Sequence, residues 1–172
     1  SDEEAKKSYN KMFYSYLKTF ERLGLKAIPM AADTGPIGGD LSHEFVILAE
    51  TGESQIYADR EIFEIDLNQY KFDDESLKKM RQDFSKIYAV TDEKFNEDEF
   101  NKKVKKESQM RTKGIEVGHI FYFSDKYSQP MNCLIDDKEG KKTSVKMGSY
   151  GIGVSRLVGA TIEANYNNGV MK

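Results

Sequence analysis

The chain holds one cysteine, Cys133, so an intramolecular disulfide is impossible and the composition fits a reducing, cytoplasmic setting. One cysteine and two histidines are also too few for a structural zinc site. No apolar run approaches the roughly 20 residues that cross a bilayer, and no signal-peptide pattern opens the sequence, so a membrane partner is not expected. Excess basic charge is missing as well. A net charge of −3 over 172 residues announces no nucleic-acid-binding field, though a local patch remains compatible with RNA contact. Repeats and low-complexity tracts are absent. What is present, 38% hydrophobic and 32% charged residues, describes one well-solvated domain with a real core and room for a small insert.

Four stretches organise the chain. In 2–23, Ala5, Tyr9, Met12, Phe13, Tyr16, Leu17 and Phe20 recur at helical steps, Ser1-x-x-Glu4 reads as a capping box, and Gly24 is placed to end the helix. This stripe reads as core packing. Next, 26–30 reads as a short strand, "DTGPIGGD" as a turn-rich loop set by Pro36 and Gly35, Gly38 and Gly39, and 43–49 as an apolar strand led by His43 and Glu44. Those two polar residues have two readings: a solvated strand end, or groups that the glycine-rich turn presents to a pocket. The third stretch, 61–110, contains neither glycine nor proline and is dense in charge. Leu77, Met80, Phe84, Ile87 and Tyr88 mark one amphipathic helix, and Asn96-x-x-Glu99 starts another that carries Phe100 and Val104. Lys102, Lys103, Lys105 and Lys106 form a solvated face by default, with RNA phosphates as the alternative contact. In the fourth stretch, "IEVGHIFYF" alternates as a strand, "DDKEGKK" reads as a hairpin turn, and Leu157, Val158, Thr161, Ile162 and Asn165 fit a helix that buries one face.

The segment "MGSYGIGVSR", 147–156, joins the last strand to that helix. A dinucleotide fingerprint would need a third glycine where Arg156 stands, and no Gly-Lys-Ser/Thr closes a phosphate loop. Gly151 and Gly153 would let backbone approach a flat or charged ligand, and Arg156 would offer a planar cation to phosphate or a purine. The plainer reading is a tightly packed helix start with a surface arginine.

Three segments in order carry a resemblance. "MGSYGIGVSRLVGATIEAN" resembles motif 3 of class II aminoacyl-tRNA synthetases, "ADTGPIGGDLSHEFVILAETGE" their post-motif-2 segment, and "IEVGHIFYFSDKYSQPM" the Glu-Val-Gly-His-Ile-Phe strand, all in the form of bacterial-type prolyl-tRNA synthetases. The resemblance implies an α/β (α+β) fold: a partial class II antiparallel sheet flanked by helices. It divides the chain into a core segment 1–60, a small charged helical insert 61–110 in place of the editing domain, and a core segment 111–172 with motif 3. It implies that proline, ATP and Mg2+ give prolyl-adenylate, and that the prolyl group passes to tRNA(Pro). On this pattern Arg156 is the motif 3 arginine that engages ATP and acts in catalysis, with Gly151 and Gly153 under the nucleotide. Glu116 is a candidate for ATP or magnesium contact, and no metal-ligand set is assigned. His119 lines the proline site, Ser149 stands at its edge where relatives often carry cysteine, and His43 and Glu44 support the pocket.

The departures shape further expectations. Motif 1, which implies a homodimeric parent, has no counterpart here, and neither do motif 2, the Thr-x-Glu loop or the anticodon-binding domain. An excised segment of this kind is expected to be inactive alone, and to self-associate or rearrange its sheet around unpaired edges. About fifty residues in 61–110 are too few for the editing domain, and a proline pocket rejects alanine poorly, so a separate editor is expected. The alternative function is a non-catalytic paralogue that binds an adenylate or a regulatory partner. A trans-editing hydrolase lacks its lysine-centred pocket, and Arg156 argues against a nicotinamide-binding domain.

Overall fold

A computed structural model describes residues 1–32, 41–167 and 170–171. The glycine-rich run 33–40, where the sequence places a turn-rich loop, lies outside the described residues.

Helix α1, Asp2–Arg22, starts as the capping box requires: Ser1 Oγ accepts from the Glu4 amide, and Asp2, Glu3 and Glu4 place acids on the positive helix end. Gly24, at φ 73°, ends it in the left-handed region, and the Leu25 amide returns to the Phe20 carbonyl. Tyr9, Phe13, Tyr16, Leu17 and Phe20 form its buried face. That face packs on a sheet of six strands: β1 Ala27–Ala31, β2 Leu41–Leu48, β3 Ser54–Asp59, β4 Ala89–Thr91, β5 Gln109–Ser124 and β8 Met147–Ile152. The order is β2-β1-β4-β3-β5-β8, and β2 also pairs with β5. Five strands therefore form a circuit, β1–β2–β5–β3–β4, and β8 continues the sheet from β5. All pairings are antiparallel except the one that closes the circuit, a single parallel bridge from Ala31 to Val90.

The circuit turns at Gly114. Both Leu48, the last residue of β2, and Ser54, the first of β3, pair with it. A Cβ at Gly114 would lie 2.5 Å from Val46 Cγ1 and 2.6 Å from the Ile47 carbonyl oxygen; one at Gly52 would lie 2.2 Å from the Gly114 oxygen. Only glycine fits so close a crossing of backbones.

Residues 61–110 do form helices, α2 Asp74–Lys86 and α3 Glu97–Lys103, each started by a side-chain cap from Asp73 or Asn96. They also contribute more than helices. Leu77, Met80 and Phe84 of α2 join the main core, and β4 sits between β1 and β3. α3 packs Phe100 and Val104 with Tyr88 into a second, small core, over which Arg111 pairs with Glu97. On its outer face Lys103 pairs with Glu99 in water.

Strands β6 Leu134–Asp136 and β7 Lys142–Ser144 form the expected hairpin, turned by the Asp137 carboxylate on the Glu139 and Lys141 amides and by Gly140 at φ 77°. Helix α4, Val154–Asn165, follows β8, and the short strands β9 Tyr166–Asn167 and β10 Val170–Met171 pair after it. The expectation that α4 buries one face needs correction. Ala160 is buried and Leu157 packs on the core, but Val158 is 63% and Ile162 42% exposed. Periodicity identifies an apolar face; it does not supply the layer that would cover it.

Candidate active site

Strand alternation sorts the polar residues of β2. His43 and Phe45 point toward α1, where Phe13 meets both rings at centroid distances of 5.0 and 5.5 Å. Ser42 and Glu44 point to the opposite face, which α1 leaves open. The two adjacent residues read together from the sequence, His43 and Glu44, thus part company. His43 is 8% exposed, its Nδ1 lies 2.6 Å from Tyr9 Oη, and burial, with Arg81, Lys94 and His119 adding positive charge, brings its pKa down to about 3. It is a neutral core histidine that holds α1 on the sheet, not a wall of the open face.

On β5 a one-residue irregularity builds the site. Gly118 pairs with Phe45 and Glu116 with Val46, so Val117 is extra, a β-bulge. In an unbroken strand Glu116 and His119, three apart, would face opposite sides. With the bulge they share one. Gly118 lies under α1, where a Cβ would stand 3.1 Å from the Tyr16 ring. His119 pairs across β2 with Glu44 and across β8 with Gly151. Its Nδ1 lies 3.4 Å from Glu116 Oε1 and 3.8 Å from Glu44 Oε1, and its Nε2 lies 2.7 Å from Ser42 Oγ. Phe121 stacks on the imidazole at 3.8 Å.

The bulge also receives the start of α4. The Gly153 amide donates to the Val117 carbonyl, and Arg156, one turn on, donates from Nη1 to the Glu116 carbonyl at 2.9 Å and lies 3.4 Å from its Oε2. The guanidinium stays more than half exposed, beside a cleft of about 310 Å³ lined by Glu53, Ser54, Ile115 and Glu116. Among the described residues nothing lies within 4 Å of where a Gly151 Cβ would be, so the backbone there is open to a flat group; Ser149, two pairs further along opposite Phe121, is exposed on the same face.

The two carboxylates are driven apart electrostatically. Burial, then the charge of Glu116, raises the pKa of Glu44, while the contact with His119 and the charges of His119 and Arg156 lower that of Glu116. Glu44, Glu116 and His119 bring ligand atoms within 4.8 Å of one another, a group able to hold an ion among the described residues. Mg2+ is a hard ion that takes oxygens, so the two carboxylates suit it and the imidazole fits beside them as a hydrogen-bond partner. Sequence reading missed two residues of this site, Ser42 and Phe121. Each lies two positions from a residue it did select, on the same strand face, so period-two alternation could have found them. Val117 gave no signal.

Seven of the eight selected residues, all but His43, therefore share one open region where β2, β5, β8 and the start of α4 meet. A family model described as the tRNA synthetase class II core domain (G, H, P, S and T) matches residues 1–165. The chain is 62% identical over 167 residues to a proline–tRNA ligase of Pelagibacter ubique, covering 97% of this chain and 38% of that protein. It is 54% identical over 170 residues to one of Parvibaculum lavamentivorans, covering 96% and 38%, and 51% identical over 164 residues to one of Phenylobacterium zucineum, covering 95% and 37%. The chain thus spans 38% or less of the length of these curated relatives. Among the described residues no helix is long and apolar enough to cross a membrane.

Proposed function

Because the chain belongs to the class II tRNA synthetase core-domain family, we propose that it is a catalytic-core segment of a cytoplasmic proline–tRNA ligase. In this reading proline and ATP give prolyl-adenylate and pyrophosphate, and the prolyl group then passes to tRNA(Pro). The observation that carries it is the meeting of Glu44, Glu116, His119, Gly151 and Arg156 on one face that the other described residues leave open.

The reaction needs no enzyme nucleophile. A proline carboxylate oxygen attacks the α-phosphorus in line with the departing pyrophosphate, and a ribose hydroxyl of the tRNA later attacks the acyl carbon and releases AMP. Catalysis rests on orientation and on stabilising charge as it moves between oxygens. Arg156 is suited to this because, among the described residues, only its Nη1 is engaged, which leaves donors for phosphate oxygens, and its contact with the Glu116 carbonyl fixes where they sit. Gly151 lets a flat ring rest against backbone. His119, backed by Phe121, and Ser149 at the margin would wall the small ring of proline. Mg2+, when bound, supplies charge neutralisation on the phosphates, and Glu44 and Glu116 would hold it. Since Glu44 keeps its proton above the usual carboxylate range, this hold weakens in mild acid.

Calorimetric titration of the chain with a non-hydrolysable prolyl-adenylate analogue tests the reading, with the alanyl analogue and Arg156→Ala as controls. The prolyl analogue should bind in preference, and the variant should lose at least about tenfold in affinity, the effect of a lost charged contact of roughly 1.4 kcal/mol. Equal binding of both analogues, or an unaffected variant, would remove proline or Arg156 from the account. An upstream-extended chain that still fails to bind would overturn the whole assignment.

A further inference from the structure

Among the described residues, the closest polar contact of the His119 ring is neither carboxylate. It is Ser42 Oγ, at 2.7 Å from Nε2, whereas Glu116 and Glu44 approach Nδ1 only to 3.4 and 3.8 Å. Ser42 is 5% exposed, and its hydroxyl makes no other hydrogen bond among the described residues. We propose that Ser42 is a positioning residue that fixes His119 as the Nδ1–H tautomer, with its ring turned toward the Glu44–Glu116 pair.

Donor and acceptor capacities dictate this assignment. A carboxylate only accepts, so an imidazole nitrogen facing two of them carries the proton, and a bare lone pair there would be repelled. With Nδ1 protonated, Nε2 of the neutral ring is an acceptor. A serine hydroxyl buried against it must then donate, since its alternative is an unsatisfied buried donor. The two contacts lock one tautomer and one ring orientation, and stacking on Phe121 removes the remaining freedom to tilt. Ser42 is itself held from behind. Its neighbour His43, on the other face of β2, is clamped by Tyr9, so the strand cannot roll without breaking the α1 contact. The consequence is a defined proton pattern on the wall of the proposed proline pocket: Nδ1–H on the acidic side, and no free lone pair at Nε2 to compete for the substrate's imino hydrogens. Only this last consequence rests on the functional reading above; the tautomer itself does not.

Two histidines make the test tractable, because imidazole 15N spectra of the chain contain only His43 and His119. Above pH 7.5 the parent should show His119 Nδ1 with the shift of a protonated nitrogen and Nε2 with that of an unprotonated one. In Ser42→Ala the two shifts should converge as tautomers mix, and Ser42→Thr, which keeps the hydroxyl, should restore the separation. His43 reports whether β2 is still folded: its signals should be the same in all three proteins. If Nε2 is the protonated nitrogen in the parent, or Ser42→Ala leaves His119 unchanged, the proposal fails. The prolyl-adenylate analogue, titrated into the same three proteins, should bind about tenfold less tightly to Ser42→Ala and recover with threonine. Shifts that behave as stated would leave Ser42 in its role even where no analogue binds; the functional reading falls separately, if the upstream-extended chain also fails to bind.

Discussion

One peptide bond separates His43 from Glu44, yet they belong to different environments with opposite effects on acid stability. His43 takes up its proton only near pH 3 when folded, against about 6.5 when exposed. Between those values the unfolded chain holds the extra proton, so this residue's contribution is whole above about pH 6.5 and is lost as pH falls, by about 1.4 kcal/mol per pH unit. Glu44, whose proton is held more tightly than usual, acts in the other sense. The informative comparison is therefore with His43→Gln, whose amide can still meet Tyr9 Oη. Urea unfolding from pH 6.5 to 5 should show a shallower loss of stability in the variant, and equal slopes would mean that His43 is hydrated. Glycines give a second contrast. Gly114→Ala should destabilise by about 3 kcal/mol or more, since its methyl would meet backbone as well as side chains. Gly151→Ala should alter unfolding by less than about 1 kcal/mol, as open space surrounds it, and still weaken the adenylate analogue. A Gly151 variant that binds normally would take that backbone out of the ligand surface.

The elements differ in how far their sequences announced them, and the reason is local each time. α1 was legible because its seven apolar residues keep a helical period and both ends carry caps. β4 was not. Ala89–Thr91 is three residues long, too short for any period, and its place comes from partners far away in sequence. The bulge at Val117 was hidden for a related reason: it is a property of pairing with β2, not of β5 alone. The resemblance selected residues that lie on β2, β5, β8 and the start of α4, and only the pleat could separate His43 from the others. α2 offers a test of its part in the fold. Asp73 accepts from the Ser76 amide at 2.8 Å, and Asp73→Ala should cost about 1 kcal/mol. Because Leu77, Met80 and Phe84 lie in the main core, that loss should lower the midpoint of one global urea transition. Separate melting of α2, seen as a second transition, would mean that 61–110 folds apart from the main core.

At the scale of the whole molecule, the uneven burial of its helices stands out. α1 hides its apolar stripe, while Val154, Val158, Ile162 and Tyr166 leave a run of carbon on the surface along α4. Such a stripe should make the chain associate as its concentration rises. Sedimentation should show an increasing average mass, and Val158→Lys with Ile162→Lys should hold the chain near 19.7 kDa without lowering its unfolding midpoint. Unchanged association in the double variant would direct attention to the β8 edge. The circuit of strands has a consequence in time. β1 and β2 are close in sequence, but β5, which pairs with β2, β3 and β8, begins only at Gln109, and Tyr122 reaches back to the Asp2 carboxylate. A ribosome extruding this chain would therefore release α1 and the first hairpin long before the strand that joins them to the rest. Their aromatic faces must wait in solution or in the care of a chaperone, and folding becomes a late, concerted event whose rate is set by distant pairings rather than by the helices that form first.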